Sequence, residues 1–483
     1  MSSLFTGGRL SRPNPRLVSF TSSLESDARI AEATVQVNEA HVLALEKIGV
    51  LSRNEAKKTL ASLRRLEKHP PSRRGVEDVH LLIEEEVRRQ VGAQIGGKLH
   101  TGKSRNDQVA TAIRMVLREE LIGLTDAVLD MEVSLLRMAR KNTASLFVGY
   151  THLQPAQPVT FAHYLLAQID PLLRDVERLI ESLHRINLSP MGAGALAGSS
   201  FRLDRDLVAR LLGFSGIVEN SLDAVGSRDF VLEVLGVCSI LASDLARICQ
   251  DLIFYSSADV GLIELPDQFA STSSIMPQKK NPDVFEVIRA RCARVAGNFT
   301  TAVTTLHALP TGYNLDYQEL TPLLWNTLDT LKPCVEILSK LVGKLRLSRS
   351  SFEPHVELTA ATEVANVLVR SSGIPFRQAH QAVGRAVRLA LSRNTGFQGL
   401  TREDWNGIIP NLPAVALRNI TRATNLDLHI QAYKTKGSPN PKETSQLIGR
   451  REDQVKELSA ETKQFASKIN RSLTELHRTA YRP

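Results

Sequence analysis

The amino-acid sequence predicts an all-α fold built around an elongated bundle of long helices. Apolar residues recur at helical spacing over many turns in several places, and no region is rich in strand patterns. At 1.5 Å per residue, these stripes correspond to helices of roughly 35 to 45 Å, longer than a small globular domain needs. With 483 residues, of which 42% are hydrophobic, the chain can also bury a large core.

Four apolar stripes predict the helices of this bundle. They occupy residues 117–138, 165–186, 230–252 and 284–306. Pro171 lies within the second stripe and should kink or interrupt that helix locally. At the start of the fourth stripe, Asn281 is predicted to be the N-cap and Pro282 the first helical residue. Because the near-heptad seams are sustained, we also expect contacts between copies of the chain.

Shorter helices and the return of Gly and Pro mark the regions on either side of the bundle. We predict an N-terminal helical domain over residues 1–107 and the central long-helix bundle over residues 108–356. A C-terminal helical domain over residues 357–483 should end in a highly charged helix.

Composition excludes several classes of protein. The formal net charge of +9 favours anionic partners, but the positive charges are scattered, so nucleic-acid binding has little support. The four cysteines lack the CxxC spacing of zinc or redox sites. The first residues lack the apolar core of a signal peptide, and no apolar run is long enough to span a membrane. We therefore expect a soluble, cytoplasmic protein.

Four stretches combine Gly, polar and charged residues in ways that packing does not explain. They lie at residues 96–109, 149–163, 191–201 and 271–282. The third, MGAGALAGSSF, lacks both the GxGxxG pattern and a preceding strand, so it is interpreted as a tight turn rather than a phosphate loop.

The other three stretches carry candidate chemical groups. Arg105 and Asn106 suit a carboxylate at a helix N-terminus, although an ordinary polar loop with a capping Asn fits equally well. His152 lies in a turn-prone segment rather than on an apolar face, so it is a candidate acid, base or proton relay. The stretch STSSIMPQKKNP is either a mobile loop that brings Ser273 or Ser274 to a substrate anchored by Lys279, or a solvated or basic surface loop.

Together these groups fit one kind of chemistry. Removing a proton next to a carboxylate places further negative charge on that carboxylate, so cationic and amide groups must surround it. A base takes the carbon-bound proton, and an acid assists the departing nitrogen or oxygen. The residue types therefore suit an elimination that uses no metal and no cofactor.

The motifs KLHTGKSRNDQV, GYTHLQPAQP, MGAGALAG, LDAVGSRDF, SSIMPQKKNPD and PFRQAH together resemble the argininosuccinate lyase family of the fumarase and aspartase superfamily. The resemblance runs in order over most of the chain. It implies an all-helical homotetramer whose long helices form a twenty-helix core, with each active site built from three subunits. It also implies cleavage of argininosuccinate to L-arginine and fumarate, in arginine biosynthesis or the urea cycle.

The resemblance also assigns site residues. Ser273 matches the serine that abstracts the proton, and His152 matches the histidine that transfers a proton at the leaving group, oriented by Glu286; older assignments reverse or share these two roles. Tyr313 and Gln318 match residues that hold the arginine portion. The remaining matches are substrate contacts or residues that line the site: Ser23, His80, Arg105, Asn106, Thr151, Gln154, Lys279 and Asn281.

Several positions depart from the family pattern. Thr321 stands where the family often has lysine, which removes a contact to the arginine portion. Thr34 replaces an aspartate and Asn38 a serine, and Lys103 stands for an arginine. Thr272 replaces the usual glycine of the catalytic loop, which should reduce that loop's flexibility.

Alternatives therefore stay open from sequence. The carboxylate-handling groups are better retained than the arginine-handling groups, so a lyase acting on a different succinyl or aspartyl adduct is one alternative. A catalytically silent structural or binding protein on the same scaffold is another.

Overall fold

The computed structural model describes residues 14–69, 76–348 and 354–481, together with Arg9 and Pro71. Helices dominate the described residues, as the sequence predicts. In chain order they are α1 Pro15–Phe20, α2 Leu24–Asp27, α3 Ala31–Lys47, α4 Arg53–Lys68, α5 Val79–Val91, α6 Ala93–Gly96, α7 Arg105–Lys141, α8 Phe161–Ile186, α9 Arg205–Leu211, α10 Ser221–Gly226, α11 Asp229–Ser256, α12 Asp283–Leu306, α13 Leu320–Val342, α14 Ala361–Ser372, α15 Phe376–Ser392, α16 Arg402–Ile408, α17 Ala414–Thr424, α18 Leu426–Ala432 and α19 Pro441–Ala480.

Short strands and short 3-10 segments connect these helices. The strands are β1 Leu146–Thr151, β2 Gln154–Thr160, β3 Leu188–Ser189, β4 Gly216–Ile217, β5 Ile263–Glu264, β6 Ser271–Thr272, β7 Lys280–Asn281 and β8 Arg346–Leu347. They form four two-stranded ladders, of which β3–β4 is parallel and β1–β2, β5–β8 and β6–β7 are antiparallel. The 3-10 turns are Ala28–Ile30, Gly97–His100, Asp267–Phe269, Leu315–Glu319, Pro354–Ala360 and Phe397–Gly399.

The central bundle consists of α7, α8, α11, α12 and α13, which share one continuous core. All four predicted stripes lie inside helices of this bundle, so that prediction is confirmed. Pro171 does not interrupt α8, which continues from Phe161 to Ile186. The predicted cap at the start of α12 is wrong: Asn281 belongs to strand β7, and Pro282 occupies the N-cap position. Backbone pairing of Asn281 with Ser271 prevents it from capping the helix.

Each long helix connects two opposite ends of the bundle, which we name the Arg105 end and the hairpin end. Helix α7 begins at Arg105 and ends just before the β1–β2 hairpin, 37 residues later. Helix α8 runs back to the Arg105 end. Its last residues, Arg185 and Ile186, accept hydrogen bonds at 3.1 Å from the Arg114 guanidinium near the start of α7. Helix α11 runs to the hairpin end, where its Phe254 contacts Tyr150 of the hairpin with ring centroids 5.0 Å apart.

The N-terminal helices and the last helix share the core of the bundle. Helix α3 packs on α4, α5 and α7, and the 40-residue helix α19 packs on α7 and α8. Helix α19 supplies Ile448, Val455 and Leu476 to the main core. At its end, the Tyr481 hydroxyl donates to Glu39 of α3. The final helix is therefore integrated into the bundle.

A second, smaller core lies in the C-terminal region. Helices α14 to α17 bury Leu368, Trp405 and Ile420 among themselves. Helix α18 packs against strand β2, so this part of the chain lies at the hairpin end. The domain boundaries at residues 107 and 356 stay a prediction, because the main core includes residues from all three predicted domains.

Two further findings concern the whole of the described chain. Cys238, Cys249, Cys292 and Cys334 are buried, and none of them forms a disulfide. Among the described residues, no helix is both long and apolar enough to cross a membrane.

Candidate functional site

A small cavity of about 20 Å³ lies at the Arg105 end of the bundle. Five residues predicted from the sequence to belong to the site line it, and they come from four separate parts of the chain: Ser23, His80, Arg105, Tyr313 and Gln318. A larger neighbouring cleft shares His80 and Arg105 with this cavity and adds Asn106. The fold thus brings together the predicted contacts to the arginine portion and part of the predicted carboxylate site.

Arg105 is positioned by the start of α7. Ser104 and Asp107 form a capping box there, so Arg105 is the first helical residue. The Arg105 Nη1 atom lies 2.9 Å from Glu77 Oε2 and also contacts the Asp78 carboxylate. In this structure Arg105 is therefore already paired with two carboxylates.

His80 lies in the same cavity wall and has free ring nitrogens. The side chain is 5% exposed, and neither Nδ1 nor Nε2 has a hydrogen-bond partner among the described residues. Burial lowers the pKa of His80 to about 4, so the imidazole is neutral near pH 7. A neutral imidazole can donate one hydrogen bond to a ligand and accept another.

Asp27 and Arg228 are among the cavity residues that the sequence analysis did not identify. Asp27 is 4% exposed and accepts a hydrogen bond from the Ser23 hydroxyl at 2.7 Å. Burial raises the pKa of Asp27 to about 6. Arg228 lies inside the motif LDAVGSRDF, but nothing in the spacing of that motif distinguishes it as a cavity residue. The signal for Asp27 was its position four residues after Ser23, on the same helical face.

Two loops that carry Arg228 and Tyr313 are held closely together. The Tyr317 hydroxyl donates to the carbonyls of Gly226 at 2.6 Å and Gly312 at 3.1 Å. A Cβ atom on Gly226 would lie only 3.1 Å from the backbone of Gly312, so a side chain there would separate the loops. This close approach fixes the part of the cavity that the arginine portion was predicted to occupy.

The glycine-rich stretch forms turns beside the start of α7, as predicted. Gly192, Gly194 and Gly198 adopt φ values of 85°, 63° and 73°. The Asp107 Oδ2 atom accepts hydrogen bonds from the backbone N–H groups of Gly192 at 3.0 Å and Gly194 at 2.9 Å. The Asn106 amide donates to the Ala195 carbonyl at 3.1 Å. The stretch thus supports the predicted carboxylate contacts and does not form a phosphate loop.

Replacing Asp107 by alanine tests this support. The residue is fully buried, and its second oxygen accepts from the Ser104 N–H at 2.9 Å, so alanine leaves three backbone donors without a partner. Each such donor costs about 1 to 3 kcal/mol. We expect D107A to lose at least about 3 kcal/mol of unfolding free energy, measured by denaturant titration. The exposed Asp206 provides a matched control, and equal stability of D107A and D206A would contradict the prediction.

The predicted histidine lies at the tip of the β1–β2 hairpin. His152 and Leu153 both have positive φ, 55° and 56°, which is typical of a two-residue type I′ turn. The prediction that His152 lies in a turn is confirmed. Thr151, His152 and Gln154 are exposed within the single chain, and Leu153 is 70% exposed.

The stretch 271–282 is a loop closed at its base by strands β6 and β7. Thr272 pairs with Lys280, an extended position that a β-branched residue favours. The Ser273 hydroxyl accepts from the Met276 N–H at 3.2 Å, which leaves its own proton available. Lys279 and Glu286 are exposed, and Asn281 is partly exposed. The loop presents its polar side chains outward at the hairpin end.

Within one chain, the predicted site residues are therefore divided between the two ends of the bundle. Arg105 is the first residue of α7 and His152 lies beyond its other end, and the 37 residues of this helix span about 55 Å. In the same way, α12 separates the loop of Ser273 from Tyr313 by 24 residues, about 36 Å. No side-chain movement closes such distances. A single copy of the chain does not unite these groups.

The departures from the family pattern near the N-terminus contact one another. The Asn38 amide donates to the Thr34 carbonyl at 2.8 Å, and the buried Lys103 ammonium contacts the Asn38 side-chain oxygen. Burial lowers the pKa of Lys103 to about 8. The side-chain oxygen of Asn38 therefore accepts a hydrogen bond from Lys103. In the family pattern these two positions hold a serine and an arginine. Thr321 is 6% exposed and lines the cavity beside Gln318.

Comparisons with known proteins agree with this architecture. Residues 8–297 match the Lyase family, and residues 358–426 match the argininosuccinate lyase C-terminal family. An argininosuccinate lyase of Methanothrix thermoacetophila is 41% identical over 483 residues, which is 98% of each chain.

Solved structures show the same fold. The crystal structure of EDDS lyase in complex with formate has a TM-score of 0.88 and 28% identity, covering 94% of this chain and 91% of that chain. A class II fumarase from Schistosoma mansoni has a TM-score of 0.70 at 18% identity, covering 83% and 90%, which supports the fold alone. On the identity to the Methanothrix enzyme and the two family matches, this chain belongs to the argininosuccinate lyase family.

Proposed function

We propose that this protein is an argininosuccinate lyase, which eliminates L-arginine from argininosuccinate to leave fumarate. The observation that carries this proposal is 41% identity to an argininosuccinate lyase over 98% of each chain, together with a cavity lined by Ser23, His80, Tyr313 and Gln318. The reaction is a carbon–nitrogen elimination in arginine biosynthesis.

The proposed mechanism uses the chain's own side chains. Ser273, with its hydroxyl deprotonated, takes the proton from the succinyl carbon next to a carboxylate and becomes a neutral hydroxyl, and the resulting charge spreads onto that carboxylate. The electron pair then forms the carbon–carbon double bond of fumarate as the carbon–nitrogen bond breaks. His152, oriented by Glu286, delivers a proton to the departing nitrogen.

Anion-stabilising groups would make the proton abstraction possible. We assign Arg105, Asn106, Thr151, Lys279 and Asn281 to the two succinyl carboxylates, because donors placed around a carboxylate stabilise the charge that develops there. Gln154 lies next to this group, on the hairpin. Tyr313 and Gln318 would hold the arginine portion in the cavity at the Arg105 end.

This mechanism requires more than one copy of the chain. We propose a homotetramer in which each site combines the Arg105 end of one copy with the hairpin and the Ser273 loop of others. Exposed apolar side chains in these segments support the proposal: Leu153 is 70% exposed, Ile275 83% and Met276 40%. Along the bundle, Ile240, Val287 and Val303 are also exposed. A mass four times the 53.3 kDa of the chain, measured by light scattering, is the expected result.

We also propose a cytoplasmic location for the enzyme. Four buried, unpaired thiols suit a reducing compartment, where such groups stay reduced. Fractionation of the source cells would test this.

The function is tested by fumarate release from argininosuccinate, followed by ultraviolet absorbance. Thr321 and the similarity to EDDS lyase make a different succinyl adduct the alternative substrate, so EDDS, adenylosuccinate and aspartate are assayed in parallel. Release from argininosuccinate at a kcat/KM at least about 10²-fold above each of the others is the expected result. Release only from another adduct, or from none, would contradict the proposal.

A further inference from the structure

We propose that Lys280 is a positioning residue for the elimination, because its ammonium attaches the base of the loop that carries Ser273 and Lys279 to the core of the bundle. The inference rests on the proposed function, since it assumes that this loop meets a substrate. It gives the two adjacent lysines of the motif QKKNP separate tasks. Lys279 faces the substrate, and Lys280 holds the loop.

The Lys280 ammonium has three acceptors in the segment that precedes the loop. It donates to the Leu265 carbonyl and, at 2.7 Å, to the Asp267 carboxylate. It also lies 3.6 Å from the Glu264 carboxylate. An ammonium has three N–H groups, so these contacts occupy it fully. By contrast, Lys279 is exposed and forms no ion pair with any residue that the structure describes.

The segment that receives Lys280 belongs to the main core. Ile263 and Leu265 are only 3% and 5% exposed, and strand β5 pairs with β8 beyond the end of α13. The Leu262 N–H donates to the Tyr255 carbonyl at 2.9 Å, in the last turn of α11. Buried residues are closely packed and hold their positions. The Leu265 carbonyl is therefore a fixed point, and Lys280 connects the loop to it.

The anchor also determines which way Asn281 faces. Successive side chains of a strand alternate between its two faces, so Lys280 and Asn281 point to opposite sides of the β6–β7 ladder. Ser271 lies directly opposite Asn281, whose amide donates to the Ser271 hydroxyl at 3.5 Å. Thr272 lies opposite Lys280. With Lys280 held against residues 264–267, Asn281 presents its amide on the other face, as a substrate contact requires.

The tip of the loop depends on this base for its position. Between Ser273 and Lys279, every hydrogen bond found in the described chain stays inside the loop. Ile275 at the tip is 83% exposed. A movement of the base is therefore passed on to the Ser273 hydroxyl, and a displacement of about 1 Å at a reacting group can cost about 10²-fold in rate.

The main test replaces Lys280 by methionine, which keeps an unbranched stem without the ammonium. For K280M we expect kcat for fumarate release to fall by about 10- to 100-fold. The melting temperature and the light-scattering mass should stay at the wild-type values. K280R retains a cationic donor and should keep kcat within about fivefold of the wild type. Lys468, an exposed lysine of α19, provides the matched control, and K468M should behave as the wild type.

Chemical rescue separates the ammonium from other effects of the substitution. K280C treated with 2-bromoethylamine carries an ammonium on a side chain of the same length as lysine. This treatment should raise kcat of K280C by at least about fivefold, whereas iodoacetamide, which adds a neutral group, should not raise it. The four native cysteines are buried, so wild-type protein treated in the same way is the control.

Substitutions on the acceptor side distinguish an anchor from a direct substrate contact. The double variant E264Q/D267N removes both carboxylates but leaves the Leu265 carbonyl, so an anchor predicts a fall in kcat of about three- to tenfold. K280M should then have a smaller effect in that background than in the wild type. If Lys280 bound the substrate directly, E264Q/D267N would free its ammonium, and activity would stay the same or rise. That result would overturn the proposal.

Hydrogen exchange over residues 271–282 provides a readout that needs no substrate. In K280M these backbone amides should exchange at least about tenfold faster than in the wild type, while those of α11 and α12 stay unchanged. Unchanged exchange or unchanged kcat in K280M would overturn the role of Lys280. A wild-type protein that releases no fumarate from argininosuccinate would instead contradict the proposed function, and the exchange experiment would still report on the anchor.

Discussion

Ser273→Ala is expected to reduce fumarate release by at least about 10³-fold, because it removes the proposed base for carbon–hydrogen cleavage. The hydroxyl lies in the loop between β6 and β7 and accepts hydrogen bonds only from the N–H groups of Ile275 and Met276 among the described residues. It contributes nothing to the core of the bundle. The variant should therefore keep the wild-type melting temperature and mass.

The neighbouring Ser274 provides the matched control. It is exposed in the same loop, and S274A should retain activity within about tenfold of the wild type. Initial rates with argininosuccinate, together with light scattering and thermal denaturation, separate lost chemistry from lost structure. Near wild-type turnover by S273A would remove Ser273 from the mechanism.

Mixing two inactive variants is expected to restore about a quarter of wild-type activity. Arg105→Gln and Ser273→Ala damage opposite ends of the bundle, and each alone should be at least about 10³-fold less active. If each site takes Arg105 from one copy and Ser273 from another, a randomly mixed tetramer contains both native residues in about one site in four. Recovery should appear only after the copies have exchanged, for example by refolding the two variants together.

A second mixture controls for nonspecific recovery. Arg105 and Asn106 are adjacent at the start of α7, so every site that receives this segment from R105Q or from N106A is damaged. That mixture should stay inactive under the same refolding conditions. Absence of recovery from the R105Q and S273A mixture, when tetramers of both chains have formed, would contradict a site shared between copies.

The helical bundle could be predicted from sequence because its signal is local. The apolar stripes at 117–138 and 230–252 place an apolar residue on the same helix face at every turn. Burial of that face stabilises the observed helices α7 and α11. Pro171 did not interrupt α8, because the apolar residues on both sides are buried in the same core and hold the helix together. Tertiary packing outweighed the local preference there.

The cavity was only partly predictable, since it depends on contacts distant in sequence. Ser23, His80 and Tyr313 were placed through the family resemblance, whereas Asp27 and Arg228 became visible only when their elements met at the Arg105 end. Asn281 shows the opposite case. The sequence around Asn281 is typical of a helix N-cap, but the Asn281 backbone pairs instead with Ser271, ten residues earlier, in the β6–β7 ladder.

The position of the last helix has a consequence for how the protein is made. Helix α19 supplies Ile448, Val455 and Leu476 to the main core, and Tyr481 attaches its end to α3 near the start of the chain. On the ribosome, the first helices emerge long before these residues exist. The bundle can therefore reach its final packing only after helix α19 has been synthesised, whereas the smaller core around Trp405 has all its residues earlier.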